Sequence, residues 1–263
     1  MTAQPAPLTT HAEPAMGTVF SFTAVHGDRP PEAVRAALAA ACRVLHHCDA
    51  LFSTWDPASP VSRFRRGEAA LGQLPPEFPE VLRECRAAKE ASGGWFDPWA
   101  MPGGFDPTGL VKGWATERAL AELRGAGVAG ALINGGGDVA VFGSPADGPR
   151  WRVGIRHPWR ADALACVVEV GQGPVASIAA VATSGPYERG AHLIDPATGR
   201  PASRAASATV TGPSLALADA LATGIAVGGD EALAVVAGLD GYAAYLIRPD
   251  GSETDTGGIA FAH

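Results

Sequence analysis

The chain has 263 residues, 47% hydrophobic and 18% charged, which is enough to bury a full core and too apolar for a disordered protein. Its formal net charge of −7 argues against a nucleic-acid binder, which needs a basic face for phosphates. No uninterrupted apolar stretch of about 18 residues suggests a membrane helix. The first twenty residues lack an apolar segment flanked by basic ones, so no signal peptide and a cytoplasmic location are expected.

Residues 1–14 are polar and proline-rich and are expected to be loose. Thr18–Val25 alternates like a strand. Pro31–Ala50 reads as an amphipathic helix, with proline at its start and Val34, Leu38, Ala41 and Leu45 on one face. Pro79–Ser92 reads as a second helix, closed by Gly93-Gly94, and Gly113–Leu123 as a third. Ala129–Phe142 looks like two strands around "NGGGD", and further strands are expected at Trp151–Arg156, Ala165–Val170, Val175–Ala182 and Ala206–Thr211. Ser214 caps a helix to about Val227, Glu231–Ala237 forms another, and Tyr242–Arg248 with the turn "PDG" closes the sheet. The class is α+β, and no linker or solenoid-length repeat divides the chain.

Cys42, Cys48, Cys85 and Cys166 show no C-x-x-C pair and no histidine at metal spacing, so they read as buried thiols. Four stretches carry chemistry. "GGFDPTGLVKGWA" feeds a glycine-rich loop into a helix, where free N–H groups suit an anion and Lys112 adds a charge; the spacing is not that of a Walker loop. "NGGGDV" is either a tight turn or a place for a ligand to approach backbone. "ATSGPYERGAHLIDPATGRP" gathers polar groups, including His192, in one loop-rich run. In "SLALADALATG", Asp219 and Thr223 stand at i and i+4 on one face of an apolar helix, where an unpaired carboxylate is costly to bury. Carboxylate and hydroxyl are hard oxygen donors of the kind Mg²⁺ prefers, although a bond to nearby backbone N–H explains the Asp equally well.

Taken in order, these stretches resemble the ApbE family of FAD:protein FMN transferases. The match runs from Met16 to Gly251 through "MGT", "FSTWDPASPVSRF", "GGWFDP", "FDPTGLVKGWA", "LINGGGDVAVFG", "ATSGPYER", "HLIDPATGRP", "ATVTGPS" and "ADALATG". The two Phe-Asp-Pro copies, at Phe96 and Phe105, are therefore not a repeat: the first resembles the flavin-contacting segment, the second the Asp-x-x-Gly-x-x-Lys-Gly segment. Only "WAMPGG" lies between them, where many members carry a substantial insertion. The lipoprotein leader of periplasmic members is also not seen.

The resemblance implies an ApbE-like, T-fold-related architecture, with mixed sheets packed with helices, a flavin site between lobes, and one domain over residues 15–263. It implies FAD as substrate, Mg²⁺, release of AMP, and transfer of FMN to a Thr or Ser hydroxyl of an acceptor flavoprotein, with neither nucleic acid nor membrane insertion involved. Met16, Trp55, Trp95, Phe96, Asp97, Asp106, Lys112 and Ile194 would line the nucleotide site. Trp55 stands where many members have tyrosine, keeping an aromatic ring but losing a hydroxyl. Gly109 and Ala222, by their carbonyls, with Asp219 and Thr223, would hold the metal. His192 matches a histidine important for transfer, and a carboxylate near the metal is the other possible base. Two other readings share these residues: a hydrolase giving free FMN and AMP, and a non-catalytic flavin-binding protein.

Overall fold

The computed structural model describes residues 6–171, 177–186 and 193–262. Its centre is an eight-stranded sheet of β1 (Leu8–Ala15), β2 (Thr18–Val25), β3 (Gly130–Gly135), β4 (Asp138–Gly143), β7 (Ala179–Ser184), β10 (Ser207–Gly212), β11 (Ala243–Ile247) and β12 (Glu253–Asp255), in that spatial order. The helices are α1 (Pro31–Phe52), α2 (Pro60–Arg65), α3 (Glu77–Ala91), α4 (Thr108–Gly125), α5 (Leu215–Gly228) and α6 (Asp230–Val236). Two small hairpins complete the described structure: β5 (Trp151–Arg156) with β6 (Leu164–Val170), and β8 (Ile194–Asp195) with β9 (Arg200–Pro201).

Two expectations change here. Residues 8–14 are not loose: they belong to β1, whose backbone is satisfied by full pairing with β2 from Leu8 opposite Val25 to Ala15 opposite Thr18. The sheets are not mixed either; every pairing among the described strands is antiparallel. The reason is connectivity. Two-residue turns join β1 to β2 and β3 to β4, and the α5–α6 excursion returns the chain beside the end where β10 stopped, with Thr211 opposite Ala243.

Alternation sorts the side chains to two faces. Ala140 and Phe142 of β4, Ala180 and Ala182 of β7, and Ala208 and Val210 of β10 face the helices and join Leu45, Leu110, Leu120 and Leu221 in the main core. Val139, Val141 and Val181 face the other way, under Trp151, Val153 and Ile155 of β5. The middle strands are thus covered on both sides, which is why they read as unbroken apolar runs.

Helices α4 and α5 meet closely because of glycine. A Cβ at Gly113 would lie 2.6 Å from the Leu215 carbonyl oxygen, so no larger residue fits where α4 crosses the start of α5. Glu117, one turn further along α4, accepts a short hydrogen bond from the Leu215 N–H, while the Ser214 side chain accepts one from Leu217. Burial pushes the Glu117 carboxyl above the ordinary carboxylate range, against the opposing effect of that backbone donor. The start of α5 is therefore fixed to α4, and so is everything α5 carries.

Candidate active site

A cavity of about 580 Å³ opens where α4, α5 and the ends of β4, β5 and β7 converge. Both Phe-Asp-Pro copies reach it. Asp97 accepts from Trp99 N–H at 2.9 Å and Asp106 from Thr108 N–H at 3.0 Å, so each makes the same two-residue side-chain turn. Each also faces a cation: Lys89 at 2.6 Å from Asp97, and Arg65 at 3.6 Å from Asp106. The short "WAMPGG" link is braced by Arg65, which donates to the Pro102 carbonyl at 2.8 Å and the Gly103 carbonyl at 3.2 Å.

The aromatic wall is set by helix glycines. The Trp95 ring lies against Gly228, where a Cβ would stand 2.5 Å from it, and Arg204 sits over the ring at 5.3 Å from its centroid. Phe96 lies 3.1 Å from where a Gly109 Cβ would be. The "NGGGD" motif is a tight turn at the cavity edge. Gly136 and Gly137, with φ of +68° and +103°, form the two-residue turn between β3 and β4, and both also line the cavity.

The charged end lies deepest. Lys112 on α4 contacts Asp138 of β4 and stands 3.4 Å from Asp219 Oδ2 on α5. Asp138 is held by the Thr183 N–H at 3.2 Å. One turn beyond Asp219, Thr223 Oγ1 lies 3.3 Å from Ser184 Oγ and 3.6 Å from the Cβ position of Gly109. Among the described residues, four carboxylates (Asp97, Asp106, Asp138, Asp219) and two cations (Lys112, Arg156) line the cavity.

Of the residues singled out in the sequence, the structure brings Trp95, Phe96, Asp97, Asp106, Gly109, Lys112, Ile194, Asp219 and Thr223 to one wall. Met16 does not reach it. It packs against the core at the tip of the β1–β2 turn, and its neighbours Gly17 and Thr18 line the cavity instead. Ala222 is fully buried inside α5 and outside the lining, its carbonyl turned along the helix ladder. Trp55, between α1 and α2, is 93% exposed and outside the lining. His192 lies outside the described residues. The sequence reading missed Asp138, Thr183, Ser184 and the β5 edge from Gly154 to Arg156. Asp138 had a signal, a carboxylate directly after three glycines, and Thr183 and Ser184 lay inside the polar run from Ala182 without being singled out; the β5 edge had none.

A family model for the ApbE family matches residues 16–103 and 100–246. The chain belongs to the ApbE family. An FAD:protein FMN transferase from Rhodobacter capsulatus is 30% identical over 250 residues, covering 91% of this chain and 39% of that protein. This ApbE chain thus spans about two fifths of the length of the curated relatives it matches. The fold agrees with solved ApbE structures. The flavin transferase ApbE from Vibrio cholerae superposes with a TM-score of 0.79 at 21% identity, over 97% of this chain and 98% of that one. The ApbE protein from Thermotoga maritima gives 0.80 at 21% identity, over 94% and 96%.

Proposed function

We propose that this chain transfers FMN from FAD to a Thr or Ser hydroxyl of an acceptor flavoprotein and releases AMP. The observation that carries the reading is the convergence in one cavity of both Phe-Asp-Pro loops, the glycine turn before Asp138, and the Asp219–Thr223 face of α5. Trp95 and Phe96 offer flat apolar surface for an isoalloxazine ring. Asp97, Asp106 and Ile194 flank it, and Lys112 supplies a cation to the phosphates; Trp55 and Met16, outside the cavity lining, would have to move to take part.

The reaction exchanges one P–O bond for another. The acceptor oxygen bonds to the FMN phosphorus, the pyrophosphate bridge breaks, and AMP leaves with the electron pair. The acceptor alcohol is a weak nucleophile and its proton must go to a base, the role assigned to His192, with Asp106 the nearest alternative in kind. The donors at the deep end are oxygens, from the Asp219 carboxylate and the Thr223 hydroxyl, a pair that fits Mg²⁺; Gly109 could add its carbonyl only if the first turn of α4 released it. Bound there, Mg²⁺ would neutralise charge on the phosphoryl oxygens. Lys112 does part of that work, held in place by Asp138. Ala222 could join only through its carbonyl and with a local opening of α5.

The test is incubation with FAD, Mg²⁺ and a candidate acceptor domain, followed by a denaturing gel. Flavin fluorescence that stays with the acceptor after denaturation supports transfer. Free FMN and AMP with no labelled protein would make the chain a hydrolase, and no FAD turnover would leave a binding protein.

A further inference from the structure

Outside the cavity lining, a second set of polar groups meets where β1 lies on α1, with His11 and His46 partly open to solvent. Residues opposite one another in a sheet share a face, and in β1 His11 stands opposite Phe22 and Glu13 opposite Phe20. Both phenylalanines are buried in the helix-side core. His11 and Glu13 thus occupy inward positions on an edge strand where apolar residues would ordinarily cover α1. The α1 residues meeting them are Cys42 and His46, four apart and so on one helix face.

The ligand atoms of His11, Glu13 and Cys42 lie within 4.8 Å of one another. Glu13 sits at the centre: His11 Nε2 is 3.0 Å from one carboxylate oxygen and His46 Nε2 is 2.7 Å from the other. Donors bound at 2.0–2.3 Å to one tetrahedral ion stand roughly 3.3–3.8 Å apart, so small rotations bring His11, Glu13 and Cys42 around a common centre, and His46, which meets Glu13, would swing further to become the fourth donor. Cys42 is buried, whereas His46 is half exposed, which leaves an entry path from solvent.

We propose that His11, Glu13, Cys42 and His46 form a binding site for a divalent cation of the zinc class, distinct from the oxygen-lined end of the cavity. Two neutral imidazoles, one carboxylate and one thiolate are the mixed N, O and S donors that such an ion takes, and together they cancel its charge. Magnesium, which demands oxygen donors, is excluded from this set. Binding displaces the Cys42 proton to solvent. Without metal that thiol stays protonated: burial first, then the Glu13 charge, push it up to about 11. The ion would pin edge strand β1 to α1, just upstream of the Met16–Gly17 turn, where the Met16 N–H is already tied to Asp49 at 2.9 Å.

The test is titration of the full chain, reduced and stripped of metal, with Co²⁺ in the presence of excess Mg²⁺ to fill oxygen-only sites. A thiolate-to-cobalt charge-transfer band is expected, saturating at one equivalent and bleached by Zn²⁺. Cys42→Ser should abolish the band, and His46→Gln, a change on the helix surface that leaves folding intact, should weaken Co²⁺ binding at least tenfold. Absence of the band in the unmodified chain, its persistence in Cys42→Ser, or unchanged affinity in His46→Gln would overturn the proposal.

Discussion

The molecule gathers titratable groups in two places, one buried and one largely open to solvent, and the two are built differently. At the cavity, Lys112, Asp138 and Asp219 come from three elements, α4, β4 and α5, and the surrounding donors are hydroxyl and carboxylate oxygens. At the edge strand, His11, Glu13, Cys42 and His46 come from two neighbouring elements and mix nitrogen, oxygen and sulfur. The cavity set depends on how α4 and α5 are held together. The edge set depends only on how β1 lies on α1. Donor chemistry and local support therefore separate the cavity, proposed to take phosphate and Mg²⁺, from the edge cluster, proposed to take a transition metal.

That separation can be broken deliberately. The largest expected effect on chemistry is at His192. General-base help is worth about 10²–10⁴-fold in rate, so His192→Asn should lose most covalent flavinylation while FAD affinity stays within a few-fold. Paired FAD titration and labelling rates check this; a parallel fall in both would make His192 a binding residue. Next comes Gly113→Ala. Its Cβ would collide with the Leu215 carbonyl at 2.6 Å, and overpacking of this kind costs about 1–3 kcal/mol. Chemical denaturation should show that loss, and FAD turnover should fall with it, while Co²⁺ binding at the edge site is unchanged. Arg65→Ala is milder. It releases the Pro102–Gly103 link and the partner of Asp106, and should weaken FAD binding by a few-fold, about 1 kcal/mol, without changing the melting temperature much.

The smallest effect is a pH dependence. Glu117 has its carboxyl raised by burial, so the folded chain holds that proton more tightly than the unfolded chain. Its contribution to stability is fully present below the ordinary carboxylate value and is lost as pH rises through the raised folded value. Glu117→Gln keeps an acceptor for the Leu215 N–H and removes the titration. Thermal melts between pH 4 and 8 should show a flatter profile for the variant than for the parent chain. Identical profiles would mean that Glu117 titrates normally.

Much of this was legible in the sequence, for physical reasons that differ by element. Strand β2 and the β5 edge announced themselves through strict alternation, and α1 through its apolar face. Asp219 and Thr223 were found because a carboxylate stands out in an apolar helix. By contrast β1, "LTTHAEPA", alternates no apolar face because His11 and Glu13 stand on its inward side, so it read as loose chain. α2 was missed because six residues with two arginines show no period. Thr183 and Ser184 on β7 reach the cavity through strand order, which no local pattern encodes. The edge cluster was invisible for the same reason: thirty residues separate its two halves, and only the lie of β1 against α1 joins them.

The most direct test of the central reading is the rate of acceptor flavinylation by the parent chain and by Asp219→Ala, measured by denaturing-gel fluorescence across a range of Mg²⁺. Asp219 is 4% exposed, on the one helix face that offers both a carboxylate and a hydroxyl to the cavity. The account predicts Mg²⁺-dependent labelling by the parent chain and loss of at least about 10²-fold in Asp219→Ala. Thr223→Val should show a smaller loss that added Mg²⁺ partly restores. Wild-type labelling by Asp219→Ala at limiting Mg²⁺ would contradict the assignment of the metal to α5 and, with it, the proposed chemistry of the cavity.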